Sequence, residues 1–183
     1  MPSVQMKKPL LLIGFFGVLC GALQAQSNLP CEVVTENASV GDGGNAWGGH
    51  QCRIVRTQDG VFTAYTSGNE SPDSNGNFNK KLHLYNRDNG NWIIMAEGPS
   101  GREPVNLLTG PDGTLHILAW PNGIATHWYG KPNRGYLVME EEVIPDMPTS
   151  NWAYGSAGID ACGNIYVLSS EGDAPGKFYW SVR

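Results

Sequence analysis

Three stretches of this chain align on one another without gaps, and that periodicity restricts the fold more than any other feature of the sequence. Segments 53–65 (RIVRTQDGVFTAY), 106–118 (NLLTGPDGTLHIL) and 156–168 (SAGIDACGNIYVL) superimpose on Gly60, Gly113 and Gly163, which lie 53 and then 50 residues apart. Each segment reads as a short apolar strand, a tight turn at Asp-Gly or Cys-Gly, and a second strand carrying β-branched and aromatic residues. Glycine supplies the positive φ that such a hairpin turn requires. The first spacer adds strands at Leu82–Tyr85 and Trp92–Ala96, joined through Asn86 to Asn91. The second spacer repeats the plan less regularly, with Ile124–Tyr129, a turn from Lys131 to Gly135, and Tyr136–Glu140. Four antiparallel strands per period of about 50 residues predict an all-β fold built from β-propeller blades. A β-sandwich of similar strand count is the rival, but it needs no fixed period.

Composition agrees with the strand reading. Among 183 residues there are 24 Gly and 12 Pro, about a fifth of the chain, where average usage gives about 12%. Turns are therefore frequent and long helices scarce. Ahead of the repeats, Lys7 and Lys8 precede the apolar run Leu10–Leu19 and the small-residue exit Gly21 to Ala25. This pattern predicts a secretory signal peptide over 1–25, cleaved after Ala25, with an N-terminal segment over 26–46 and the repeats over 47–183. The apolar run is half the roughly 20 residues a spanning helix needs, so no stable membrane insertion is expected after cleavage. The expected location is periplasmic or extracellular.

Removal of 25 residues leaves 158, and the loss of both leader lysines moves the formal charge from −5 to −7. No basic stripe remains to contact phosphates, which argues against nucleic acid as a partner. At about 50 residues per blade there is room for about three blades, whereas closed propellers use four to eight. An incomplete ring is expected, either as part of a longer propeller or as a protomer that self-associates through open blade edges. Three cysteines follow the leader: Cys31, Cys52 and Cys162. An oxidising compartment favours a bridge between Cys31 and Cys52, which flank a flexible Gly-rich stretch, and leaves one thiol over. The Cys and His spacing suits no structural zinc site, and no metal or cofactor is assigned. Residues Asp73 to Asn79 place oxygen side chains at alternate positions but carry a single carboxylate, so the segment is read as a solvated loop.

The turns between third and fourth strands carry a resemblance. Asn86-Arg87-Asp88-Asn89-Gly90-Asn91-Trp92 resembles the Asp-box of sialidase-like secreted β-propellers with BNR repeats, retaining the Asp, Gly and aromatic but one residue short. Asn133-Arg134-Gly135-Tyr136 is a more degenerate copy. In such boxes an Asp accepts hydrogen bonds from backbone N–H groups of its own turn, so they identify architecture rather than chemistry. The resemblance implies a carbohydrate context. Sialidases begin their first inner strand with Arg-Ile-Pro, whose Arg binds the substrate carboxylate; here Arg53-Ile54-Val55 retains the Arg and lacks the proline. The remaining arginines form no recognisable second or third copy of that motif.

Propellers gather binding groups at the entrances of their inner strands. Ten residues before the repeat glycines stand His50, Glu103 and Ala153, and seven before stand Arg53, Asn106 and Ser156. His50 and Arg53, with Tyr65 or Tyr154, supply a base and a carboxylate-pairing cation, the set that proton abstraction from an acidic sugar requires. Trp47 and Trp152 stand beside polar or Gly-rich loops as sugar-stacking platforms, and Arg53, Glu103, Asn106 and Tyr154 complete the expected ligand-binding set. His83, His116 and His127 read as half-buried packing residues, and Glu140–Glu142 as a water-facing run. The sequence thus predicts a secreted propeller module that is carbohydrate-binding or a non-catalytic fragment of a larger propeller. The alternative is a carbohydrate-active enzyme, a glycosidase or lyase, acting on acidic glycans.

Overall fold

The computed structural model describes residues 33–35, 52–68, 80–88, 90–103, 105–149, 155–170 and 177–182, all within one compact unit, Val33–Arg183. The leader, His50, Trp47, Trp152, Tyr154, Cys31 and the loop Asp73–Asn79 lie outside the described residues. Eleven strands are described, and the one helical element among the described residues is a 3-10 turn at Pro121–Gly123. The all-β expectation holds.

The strands form three antiparallel sheets, each a meander in which chain neighbours pair. The first sheet contains β1 (Ile54–Thr57), β2 (Gly60–Gly68), β3 (Lys80–Asp88) and β4 (Asn91–Ser100). The second contains β5 (Asn106–Thr109), β6 (Leu115–Ala119), β7 (Thr126–Gly130) and β8 (Glu140–Val143). The third contains β9 (Gly155–Ile159), β10 (Ile165–Ser170) and β11 (Phe178–Val182). Their leading strands neighbour one another: β5 contacts both β1 and β9, and Leu107 N–H donates to Cys52 C=O at 2.7 Å.

The repeat is visible in what each second strand buries. At two, four and six residues after the turn glycine stand Phe62, Ala64 and Thr66, then Leu115, Ile117 and Ala119, then Ile165, Val167 and Ser169, and all nine are buried. Alternate side chains of a strand share one face, so each strand commits one face to a core. Phe62, Leu82 and Leu84 of the first sheet pack against Leu107, Leu115, Ile117 and Trp128 of the second. On the second sheet's other face, Leu108, Leu118 and Trp120 pack against Ile165 and Val167 of the third. Each fully buried Leu, Ile or Phe contributes about 1.5–3 kcal/mol of transfer free energy.

The three hairpins are not identical, and the difference decides which residues face where. In the second and third sheets the turns are five-residue loops, closed by Gly110 N–H to Thr114 C=O and by Asp160 N–H to Asn164 C=O. Gly113 (φ 87°) and Gly163 (φ 90°) take the left-handed position in them. In the first sheet Thr57 pairs directly with Gly60 across a two-residue turn. Val55, five before its glycine, therefore pairs with the residue two after it, Phe62, whereas Leu108 pairs with the residue three after, His116. A one-residue slip transfers side chains to the opposite face. Phe62 consequently points at the second sheet, while His116 points at the third.

Three sequence expectations need correction. The fourth strand of the second sheet is Glu140–Val143 rather than Tyr136–Glu140. Arg134 (φ 50°) and Gly135 (φ 81°) form a tight turn in which Asn133 and Tyr136 exchange backbone hydrogen bonds at 2.9 and 3.0 Å, so the chain folds back on itself before rejoining the sheet. In the first sheet, Asn86 and Arg87 belong to β3 and the turn tightens to the two residues between Asp88 and Asn91. Finally, Cys52 and Cys162 are free, exposed thiols, so the bridge from Cys31 to Cys52 is not formed. Cys52 Sγ lies against the Ile54 carbonyl at 3.4 Å.

Candidate functional site

A cleft of about 550 Å3 opens between the second and third sheets. Ile165, Val182 and Pro145 form its apolar surface, and His116, His127, Tyr129 and Glu142 its polar edge. Register places these polar groups: His127 on β7 stands opposite Glu142 on β8, and His116 on β6 opposite Tyr129 on β7. The side chains form a chain across three strands. His116 Nδ1 lies 3.0 Å from His127 Nε2, and His127 Nδ1 lies 2.9 Å from Glu142 Oε1. The two imidazoles stack with centroids 5.3 Å apart, and Tyr129 OH donates to Glu140 Oε2 at 2.9 Å. Burial lowers the pKa of His116, and the neighbouring His127 lowers it further, against a weaker opposing pull from Asp112. A neutral imidazole at neutral pH is both a hydrogen-bonding group and a base.

A second polar cluster lies on the face of the first sheet turned away from the second. Tyr65, His83 and Tyr85 stack there, with Tyr65 centroids 5.2 Å from His83 and 5.0 Å from Tyr85. The Tyr65 and Tyr85 hydroxyls are 2.5 Å apart, and Tyr65 OH donates to Thr35 Oγ1 at 3.0 Å. Ser67 Oγ lies 2.6 Å from His83 Nε2, and Glu97 Oε1 lies 2.8 Å from His83 Nδ1. Burial, reinforced by the bond with Tyr85, pushes the Tyr65 phenol up to about 12. Tyr65 is therefore a neutral hydroxyl at physiological pH.

Where described, the inner-strand residues singled out in the sequence are buried or half-buried. Arg53 is half-buried, its carbonyl accepts from Ala64 N–H at 3.0 Å and from Thr63 Oγ1 at 2.8 Å, and burial lowers its guanidinium pKa. That register turns Arg53 towards the same face as Ala64, so Arg53 and Tyr65 sit on opposite faces of the first sheet. Glu103 is buried and ion-paired with the equally buried Arg102. Asn106 is fully buried, donating from Nδ2 to Gly155 C=O at 3.3 Å and so joining β5 to β9.

The histidine cleft was not singled out from sequence. Its signal was present in His127-Trp128-Tyr129 followed by a strand rich in Glu, and the same pattern occurs at His83-Leu84-Tyr85 before Glu97. Reading the histidines as packing residues missed their cross-strand partners, and the acidic run Glu140–Glu142 does more than face water, because Glu140 and Glu142 hold Tyr129 and His127. Among the described residues no group of three or more His, Cys, Asp or Glu is arranged to hold a metal ion, and no helix is long and apolar enough to cross a membrane. Compared with family models, curated proteins and solved structures, the chain matches none of them.

Proposed function

We propose that this chain is a secreted propeller-type module, with its three sheets as successive blades, that binds carbohydrate in the cleft between the second and third sheets. Each sheet is a strand-neighbour meander, the leading strands lie side by side and the sheet faces stack, as blades do. One observation carries the binding assignment: a cleft of about 550 Å3 with an apolar surface and a few convergent, cross-strand polar groups, within the size and character of small-ligand sites. The carbohydrate class rests on the resemblance to sialidase-like secreted propellers, not on the chemistry of the turns themselves. Binding of purified residues 26–183 to a glycan array, followed by calorimetry on the best ligand, tests it. Glu142→Gln and His127→Ala are expected to weaken binding at least ~10-fold, since each removes a buried or partly buried charge-assisted partner. Tyr65→Phe, on a remote face, should leave affinity unchanged. Absence of binding to any glycan, or equal loss in all three variants, would discard the assignment.

The enzyme reading is favoured by one specific observation, the Glu142–His127–His116 chain, which ends in an imidazole kept neutral by burial. A lyase acting on acidic polysaccharide would accumulate unsaturated uronate, visible by ultraviolet absorbance. Binding without that product supports the non-catalytic module.

A further inference from the structure

We propose that Ser67 is a nucleophile for acyl transfer, with His83 as its general base and Glu97 as the residue that positions His83, and that the site acts on carboxylic esters. The three residues come from three consecutive strands of the first sheet. His83 pairs directly with Glu97 on β4, and with Tyr65 on β2. Ser67 is two residues along β2 from Tyr65, so it occupies the diagonal position on the same face. Ser67 Oγ is hydrogen-bonded to Nε2 at 2.6 Å, and Glu97 Oε1 stands beside Nδ1 at 2.8 Å. A carboxylate beside Nδ1 favours the tautomer protonated there, which leaves the Nε2 lone pair to accept the serine proton. Stacking on Tyr65 holds the ring plane between the two partners.

The geometry also says which contact is weaker. Glu97 Oε1 is close to Nδ1 but lies off the N–H direction, so the Nδ1 proton has no aligned acceptor. The Glu97 side chain is 52% exposed, which leaves it free to swing into line, whereas His83 is 12% exposed and fixed by its neighbours. Ser67 itself is half-buried and precedes the exposed Gly68 at the end of β2.

Attack of Ser67 Oγ on the ester carbonyl forms a new C–O bond while the Oγ proton passes to His83 Nε2. Collapse of the tetrahedral adduct breaks the bond to the leaving alcohol, which takes that proton. Water then attacks the acyl-serine, its proton passing through Nε2 to Ser67 Oγ as the carboxylic acid departs. Ester and water give acid and alcohol, and nothing is oxidised or reduced.

The site is independent of the glycan cleft, so its test uses different probes on the same 26–183 protein. Treatment with an alkyl fluorophosphonate and peptide mapping by mass spectrometry should place the adduct on Ser67. Hydrolysis of p-nitrophenyl acetate should fall at least ~100-fold in Ser67→Ala and His83→Gln. It should fall about 10-fold in Glu97→Gln, with partial recovery in Glu97→Asp, a rescue that a packing role would not produce. An adduct elsewhere, no adduct, or hydrolysis unchanged by Ser67→Ala overturns the proposal. Mapping on the unsubstituted protein decides the matter even where a variant fails to fold.

Discussion

His116 sits where a packing residue and a chemical group are hard to tell apart, and its titration separates the two. Burial and the adjacent His127 hold its folded pKa below the ordinary value, near 6.5 for an unperturbed imidazole. Folding thus favours the neutral ring. The resulting stability is fully present above pH ~6.5 and is lost as pH falls through the depressed folded value, because the unfolded chain takes up the proton first. Nuclear magnetic resonance of the ring protons should show His116 titrating below the free-imidazole range. Over the same acid interval the melting temperature should fall less in His116→Gln than in the unsubstituted protein. A ring titrating at or above the ordinary value contradicts the assignment. The pKa of the exposed turn carboxylate Asp160 is shifted in the same direction for a different reason, its charged form being the favoured one. Its pKa is held down first by the Asn164 side chain and backbone, then by Cys162 N–H and Tyr166 OH. Here an Asp serves its own turn, the device expected between third and fourth strands, but found between first and second.

Single elements are locked to their neighbours by close approach at small residues, and two glycines of β9 provide an internal comparison. A Cβ on Gly155 would run into the Trp120 ring, while one on Gly158 would meet nothing within 4 Å. Gly155→Ala is expected to cost about 1–3 kcal/mol through overpacking, and Gly158→Ala to stay within about 0.5 kcal/mol, as read from denaturant midpoints. Equal effects at the two positions would remove Trp120 from its role as the seat of the third sheet. Elements of this kind differ in how far the sequence reveals them. The hairpins around Gly113 and Gly163 were legible because turn chemistry and strand pattern coincide there. The folded-back turn Asn133–Tyr136 was not, because Lys131 to Gly135 reads equally as an ordinary hairpin connection. The facing of His116 and His127 was hidden for a different reason. A gapless alignment cannot show that the first hairpin closes in two residues and the others in five, and that count sets which side chains share the cleft. Glu103 and Asn106 stand at the strand entrances where binding groups were sought, and the fold buries both.

At the scale of the whole molecule, the stacking of sheets leaves one face of the third uncovered. Leu168 and Trp180 pair across β10 and β11, Tyr166 stands beside them, and these three residues are 42%, 72% and 45% exposed. On the second sheet the corresponding places are Leu118, His127 and His116, which the third sheet partly covers. Face-to-face stacking already joins the sheets twice within the chain, so we propose a second copy as the occupant of this face. Sedimentation should show concentration-dependent self-association that Trp180→Glu and Leu168→Lys abolish without loss of β-type circular dichroism. A monomer at every concentration, or association indifferent to both substitutions, rules this out.

The meander within each sheet has a bearing on how the chain reaches its fold. Among the described residues every ladder joins strands that follow one another along the chain, so loop closure costs little entropy before hydrogen bonds form. Contacts between sheets come from residues a whole repeat apart, such as Asn106 with Gly155 and Leu107 with Cys52. Hairpins and sheets are therefore expected to form locally and dock afterwards.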